Sequence, residues 1–226
     1  MIPWKLLDSA KVPGSGSELR LYQRDAELSI RVDGQELMNS RVYASEDTLS
    51  ALGCARIRDR ARPRVLIGGL GMGYSLATAL GVLGAEAEVV VAELVPSVVA
   101  WNRGPLGHLA GHPLRDARVT VREADVGRVM REKPENYDAI LLDVDNGPEG
   151  LTRQSNDWLY GRDGLLAAHL SLRPSGVLGV WSASPDRGFV QRMQRAGFTV
   201  DEIAVTARGK GRGSRHTIWL AARQEI

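Results

Sequence analysis

Past Pro63 the chain alternates between short apolar runs and longer stretches in which apolar residues recur three and four apart. The runs at 64–68, 88–93, 118–122, 138–143 and 176–182 are short and rich in Val, Leu and Ile, so they read as strands buried on both faces. Between them, 74–83, 96–101, 126–132, 164–172 and 186–196 read as helices. Strand followed by helix, repeated, predicts a doubly wound α/β domain with a mostly parallel sheet. Two further strands at 199–205 and 216–222 are joined by a link short enough for an antiparallel hairpin. Residues 104–116, with several glycines and prolines, read as an irregular connection.

The first sixty residues follow a different pattern. Runs at 19–24 and 27–32 read as short strands, and Asp33-Gly34 is a tight-turn pair that returns the chain as a strand over 35–39. The period then turns helical from Ser45 to about Arg60. Leu49, Leu52 and Ile57 share a side, Ser45 is the expected N-cap, and Glu46-Asp47 form an acidic first turn. We expect a small N-terminal β unit over residues 1–44 and a Rossmann-like nucleoside-binding domain, lead-in helix included, over 45–226.

Composition removes several classes of function. With 226 residues, 43% hydrophobic and 25% charged, the chain has enough apolar material for one main core and is neither disordered nor a coiled coil. A net charge of +2 gives no broad basic field, and the glycine- and arginine-rich stretch 208–215 reads as a hairpin loop, so no nucleic-acid partner is expected. Cys54 is the only cysteine, which excludes an intrachain disulfide and fits a reducing compartment. There is no basic leader before an apolar segment and no uninterrupted run of ~18 apolar residues, so the expectation is a cytoplasmic protein with no membrane partner. His108 and His112 stand four apart, but Gly107, Gly111 and Pro113 oppose a helix there, and no metal is expected. Trp101 and Trp181 read as packing or site-wall residues.

Candidate chemistry collects at strand ends, where a doubly wound sheet binds its ligands. Gly69, Gly71 and Gly73 follow the strand at 64–68 and lead into a helix, an arrangement that lets backbone amides approach a ligand closely. Glu93 ends the next strand, twenty residues beyond Gly73, where a carboxylate can accept from both hydroxyls of a ribose. Asp125 follows the third strand and suits either an adenine amino group or the cap of the next helix. Asp143 ends the fourth, placed to bind or deprotonate an amine. Asp145 and Asn146 extend that polar rim, although Asn146-Gly147-Pro148 is also turn chemistry.

Assembled, these residues resemble the spermidine synthase family, the polyamine aminopropyltransferases. The resemblance spans the N-terminal β unit, the lead-in helix, the glycine turn, Glu93, Asp125, and the Asp143 region through Asp157-Trp158-Leu159-Tyr160. It implies a class I methyltransferase-like sheet behind an N-terminal β domain, and a homodimer. It also implies that Glu93 and Asp125 hold ribose and adenine while Asp143 serves the attacking amine. Tyr43, Glu46, Asp145 and Asn146 become candidate acceptor contacts.

Three positions depart from the family's pattern. Met72 stands where an aspartate usually holds the donor's amino end, and Asn146 stands three beyond Asp143 in place of a second aspartate. Ala44-Ser45 precede Glu46 where the family tends to carry Tyr–Gln or Tyr–His. The expected activity is transfer of an aminopropyl group from decarboxylated S-adenosylmethionine to a small-molecule amine. The alternatives are an S-adenosylmethionine-dependent methyltransferase on the same scaffold and a non-catalytic nucleoside-binding homologue.

Overall fold

The computed structural model describes residues 2–144, 157–206 and 214–224. Its N-terminal part is a four-stranded antiparallel sheet of β1 (Lys5–Lys11), β2 (Glu18–Arg24), β3 (Glu27–Val32) and β4 (Gln35–Asn39), paired in that order. Alternation puts Leu19, Leu21, Leu28, Ile30 and Val32 on the buried face. The Asp33-Gly34 turn forms as expected, with φ of 47° and 86° at its two residues, the left-handed pair that suits the twist of a two-residue hairpin. Strand β1 was not expected. It is an edge strand, mostly exposed and without alternation, and its pairing with β2 shifts register between Leu6 and Asp8.

Helix α1 (Ala44–Ala55) follows, shorter than its sequence pattern suggested; the chain leaves helical geometry in a turn before Arg60. Ser45 is not its cap. Tyr43 occupies that position without a side-chain bond, and the Ser45 hydroxyl lies 3.0 Å from His216 Nδ1 instead. A partner on a distant strand has displaced a purely local cap.

The main sheet is built from β5 (Arg64–Gly68), β6 (Glu88–Glu93), β7 (Val119–Glu123), β8 (Tyr137–Leu142), β9 (Leu172–Ser182), β10 (Phe198–Thr206) and β11 (Arg215–Arg223). Their order is β10-β11-β9-β8-β5-β6-β7, and only β11 runs against the rest. This is the expected doubly wound, class I methyltransferase-like sheet with its terminal hairpin. The connections reverse direction between β5 and β8, which opens a crevice at their carboxyl ends.

Helices cover both faces. Residues of α1, α2 (Tyr74–Val82) and α3 (Pro96–Arg103) join the first core with Val65, Ile67, Ala139 and Leu141, together with the inner face of the small sheet. Residues of α4 (Val126–Arg131), α5 (Asp157–Tyr160), α6 (Arg162–Ser171) and α7 (Arg187–Arg195) pack on the opposite face with Leu66, Ile140 and Leu142. The segment expected to be irregular forms two short 3-10 turns, Gly107–Ala110 and Pro113–Arg115, so His108 and His112 do not share a helix face. At the sheet edge opposite the crevice, Asp138 is 2% exposed. It accepts from Arg60 at 2.6 Å, from the Arg64 amide at 2.7 Å and from Arg173 at 2.7 Å, tying the starts of β5, β8 and β9 together. Among the described residues no helix is long and apolar enough to cross a membrane.

Candidate active site

The crevice is a cleft of about 950 Å³, open solvent included, roofed by the small sheet and floored by the carboxyl ends of β5, β6 and β8. Val12, Leu19, Ile30, Val32, Leu37 and Met38 line the roof. Gly69, Gly71, Glu93, Asp125 and Asp143 line the floor, with Val126, Val144 and Leu159 closing one edge.

The glycine turn has left-handed backbone at all three expected glycines, with φ of 86°, 51° and 86°. At Gly69 there is a further reason: a Cβ would stand 2.5 Å from the Asp143 carbonyl oxygen, so only glycine lets β5 and β8 close together here. At Gly71 a Cβ would meet the Met38 thioether at 3.1 Å, which places the roof directly against the turn. Gly73 is not on the cleft wall; it is the residue from which α2 starts. Met72 is 1% exposed and packs in the core, so its side chain does not reach the ligand space. The Asn102 side chain, from α3, donates to the Gly71 carbonyl at 2.8 Å and braces the turn from outside.

Glu93 is fixed by backbone donors. Its Oε2 accepts from the Leu70 amide at 2.9 Å and its Oε1 from the Val95 amide at 2.8 Å, so one carboxylate holds both the glycine turn and the entry to α3. The same residue lines the cleft. Asp125 is the N-cap of α4, its Oδ1 accepting from the Arg128 amide at 3.0 Å, and it also lines the cleft. The two readings of this residue are compatible, because a capping carboxylate uses one oxygen and leaves the other.

Asp143 sits one residue beyond the end of β8 and has a different environment. Its Oδ2 accepts from the Ser75 hydroxyl at 2.8 Å, and burial pushes its pKa up to about 6 against that stabilising bond. The first turn of α1 approaches from above. The Ser75 hydroxyl also lies 3.5 Å from the Glu46 carbonyl, so one hydroxyl links the two segments. The Glu46 carboxyl is held well above the ordinary glutamate range, first by burial, then by the Asp143 charge and by Asp47. Asp47 is turned to the other side, where its Oδ1 accepts from Thr78 at 2.7 Å; burial raises its pKa as well.

Tyr43 stacks on Tyr74 with ring centroids 4.1 Å apart. Burial, with Tyr43, Glu46 and Asp47 nearby, lifts the Tyr74 hydroxyl to about 12. Of the candidate acceptor contacts, Glu46 is acted on by the Asp143 charge and Tyr43 stacks on Tyr74, while Asp145 and Asn146 lie outside the described residues. Ser75, Asn102 and Met38 were not anticipated. Each acts across a gap of thirty residues or more, and none carries a local signal beyond its residue type.

No protein-family model matches the chain, and no curated protein matches it in sequence. Solved structures do match in shape. A spermidine synthase in complex with the transition-state analogue AdoDATO superposes with a TM-score of 0.76 at 16% identity, covering 97% of this chain and 72% of that one. Spermidine synthase from Thermotoga maritima gives 0.76 at 15% identity with the same coverage. A probable spermidine synthase from Corynebacterium glutamicum gives 0.66 at 15% identity, covering 98% and 81%. With the strand order, the roofing sheet and the glycine turn already described, these superpositions show that the chain has the fold of the spermidine synthases, at a sequence distance that makes it a divergent example of that fold.

Proposed function

We propose that the protein transfers an aminopropyl group from decarboxylated S-adenosylmethionine to a small-molecule amine. In this reading Glu93 accepts from the ribose hydroxyls, Asp125 faces the adenine amino group, and the roof covers the nucleoside. Asp143, with Glu46 behind it, binds the amine and takes its proton. The nitrogen lone pair then attacks the carbon next to the sulfonium. A C–N bond forms, the C–S bond breaks, and its electrons return to sulfur as a neutral thioether. Because the sulfonium is already a good leaving group, the protein contributes mainly orientation and exclusion of water.

The observation that carries this reading is the sign of the charges. The described lining of the cleft holds Glu93, Asp125 and Asp143 and no lysine, arginine or histidine. A sulfonium with an ammonium tail is welcome there. The α-carboxylate of ordinary S-adenosylmethionine would be buried among acids without a cationic partner, at a cost of roughly several kcal/mol. This favours the decarboxylated donor over methyl transfer. Met72 supplies no carboxylate, which leaves the donor's ammonium to the Asp143 side of the cleft.

The test is incubation with decarboxylated S-adenosylmethionine and a panel of mono- and diamines, following release of 5′-methylthioadenosine. Thioether release that depends on the amine is expected. No release with any amine, together with turnover of ordinary S-adenosylmethionine, overturns the proposal in favour of the methyltransferase; binding of nucleoside without turnover of either donor favours the non-catalytic homologue.

A further inference from the structure

Ser75 is the second residue of α2 and is 3% exposed, on the side of that helix that packs against α1. A hydroxyl enclosed there needs a partner, and two different segments supply one. Its Oγ lies 2.8 Å from Asp143 Oδ2, just past the end of β8, and 3.5 Å from the Glu46 carbonyl oxygen in the first turn of α1. The hydroxyl carries one proton, so it donates to one acceptor at a time, and the shorter contact gives that proton to Asp143. Asp143 lines the cleft and Ser75 does not, so the serine reaches the carboxylate from behind and through one of its two oxygens.

Resting on the amine-acceptor reading above, we propose that Ser75 is the positioning residue for the base: its hydroxyl ties down Oδ2 of Asp143, turns the other oxygen to the amine, and swings to the Glu46 carbonyl while Asp143 is protonated. In the transfer step Asp143 takes one proton from the substrate ammonium. The nitrogen lone pair so freed attacks the carbon beside the sulfonium; a C–N bond forms, and the C–S electrons leave with sulfur as a neutral thioether. The new secondary ammonium keeps the positive charge that the sulfonium gives up, and Asp143 returns its proton to solvent before the next round. A neutral carboxyl is a weaker acceptor than a carboxylate. During that interval the Glu46 carbonyl keeps the buried hydroxyl from being left without a partner. One side chain thus supports both states of the base.

The bond has a sign. It favours the ionised carboxylate and opposes the burial that lifts the Asp143 pKa to about 6, so removing the donor raises that pKa further. Among the described residues, the ionisable groups around the contact are Glu46 and Asp47 on α1, Tyr43 stacked on Tyr74 of α2, Glu93 and Asp125 on the cleft floor, and His216, which meets Ser45 from β11. A substitution at Ser75 leaves all of them in place, so a displaced titration reports the hydroxyl.

Ser75→Ala and Ser75→Thr test the proposal against a role in helix packing alone. The pH profile of kcat is measured with decarboxylated S-adenosylmethionine and either 1,4-diaminobutane or n-butylamine. Its acid limb is expected near pH 6 in the wild type, about one unit higher in Ser75→Ala, and back at the wild-type position in Ser75→Thr. Affinity for 5′-methylthioadenosine should be unchanged in both variants, because Ser75 is outside the cleft lining. A limb that does not move in Ser75→Ala overturns the proposal, as does one that stays displaced in Ser75→Thr or a loss of kcat equal at every pH. Carbon-13 NMR titration of the Asp143 carboxyl, assigned by its absence in Asp143→Asn, makes the same comparison in the free protein without turnover. A pKa about one unit higher in Ser75→Ala is expected, and an unchanged one overturns the proposal. A pKa that moves while neither amine is turned over overturns the amine-acceptor reading, and with it the place of Ser75 in the transfer.

Discussion

Glu93 and Asp143 stand at the carboxyl ends of β6 and β8, on either side of β5, and line the same cleft, yet they are opposite kinds of carboxylate. Glu93 accepts from two backbone amides, so its charge is built into the fold and the fold leans on it. Asp143 has one hydroxyl donor and a second acid for a neighbour, and its pKa is pushed up to about 6. A carboxylate wired to the backbone is suited to hold a neutral polyol in one place. One left short of donors is suited to wait for a cation or a proton. In the proposed reaction this contrast separates a positioning half of the site from a reacting half.

Neutralising each acid should expose that contrast, beginning with the reacting half. Asp143→Asn removes the base and is expected to lower single-turnover transfer by about 10³-fold. At pH 8 its unfolding midpoint should equal or exceed that of wild type, because a desolvated charge has been removed. A variant that keeps its rate, or unfolds much more readily, breaks the comparison. Glu93→Ala is expected to do the reverse, costing about 2–3 kcal/mol in denaturant unfolding because two amides lose a charged acceptor. Its nucleoside affinity should fall by about 100-fold in calorimetry, which is about 2.7 kcal/mol.

The pH dependence sharpens the same distinction. Asp143 must be ionised to act as a base, so transfer should fall by about tenfold per pH unit below its pKa of about 6. Stability moves the other way. The folded state binds the Asp143 proton more tightly than the ordinary value of 3.8, so its contribution is fully present below that value and is lost as pH rises through about 6. A rate profile that is flat from pH 5 to 8 would assign the proton to another group. The smallest effect belongs to Asp125→Ala, where loss of the α4 cap should cost about 1 kcal/mol and weaken the nucleoside by at most about tenfold. A nucleoside affinity that drops as far as in Glu93→Ala would move Asp125 from the cap to the centre of recognition.

The fold was legible because its signals are local. Apolar runs of five or six residues ending in Gly68, Glu93 or Leu142 announce buried parallel strands, and an acid just past such a run announces the ligand edge. Strand β1 escaped for the same reason, since Lys5 to Lys11 pairs along an exposed edge and needs no apolar alternation. In the candidate site, the glycine turn and the strand-end carboxylates were legible and their supporting side chains were not. Ser75 looks like any polar residue at a helix start until β8 brings Asp143 to it, and Asn102 looks like a helix surface residue until it meets Gly71. Ser45 carried a sound local capping signal that a histidine 171 residues away overrode. The roof over the cleft could not be read at all, because which face of a small sheet meets which strand ends is decided by the closed tertiary structure.

Three consecutive side chains at the start of α1 reach three different elements: Ser45 meets His216 of β11, Glu46 acts on Asp143 beyond β8, and Asp47 accepts from Thr78 of α2. Adjacent residues on a helix are about 100° apart, so these partners sample most of its circumference. One residue inserted or deleted between Tyr43 and Ser45 would turn all three away together, with composition and helix length almost unchanged. The contacts of this turn are therefore encoded as the rotational phase of a single helix, and a relative with the same three residues one step out of phase would possess the parts without being able to join them.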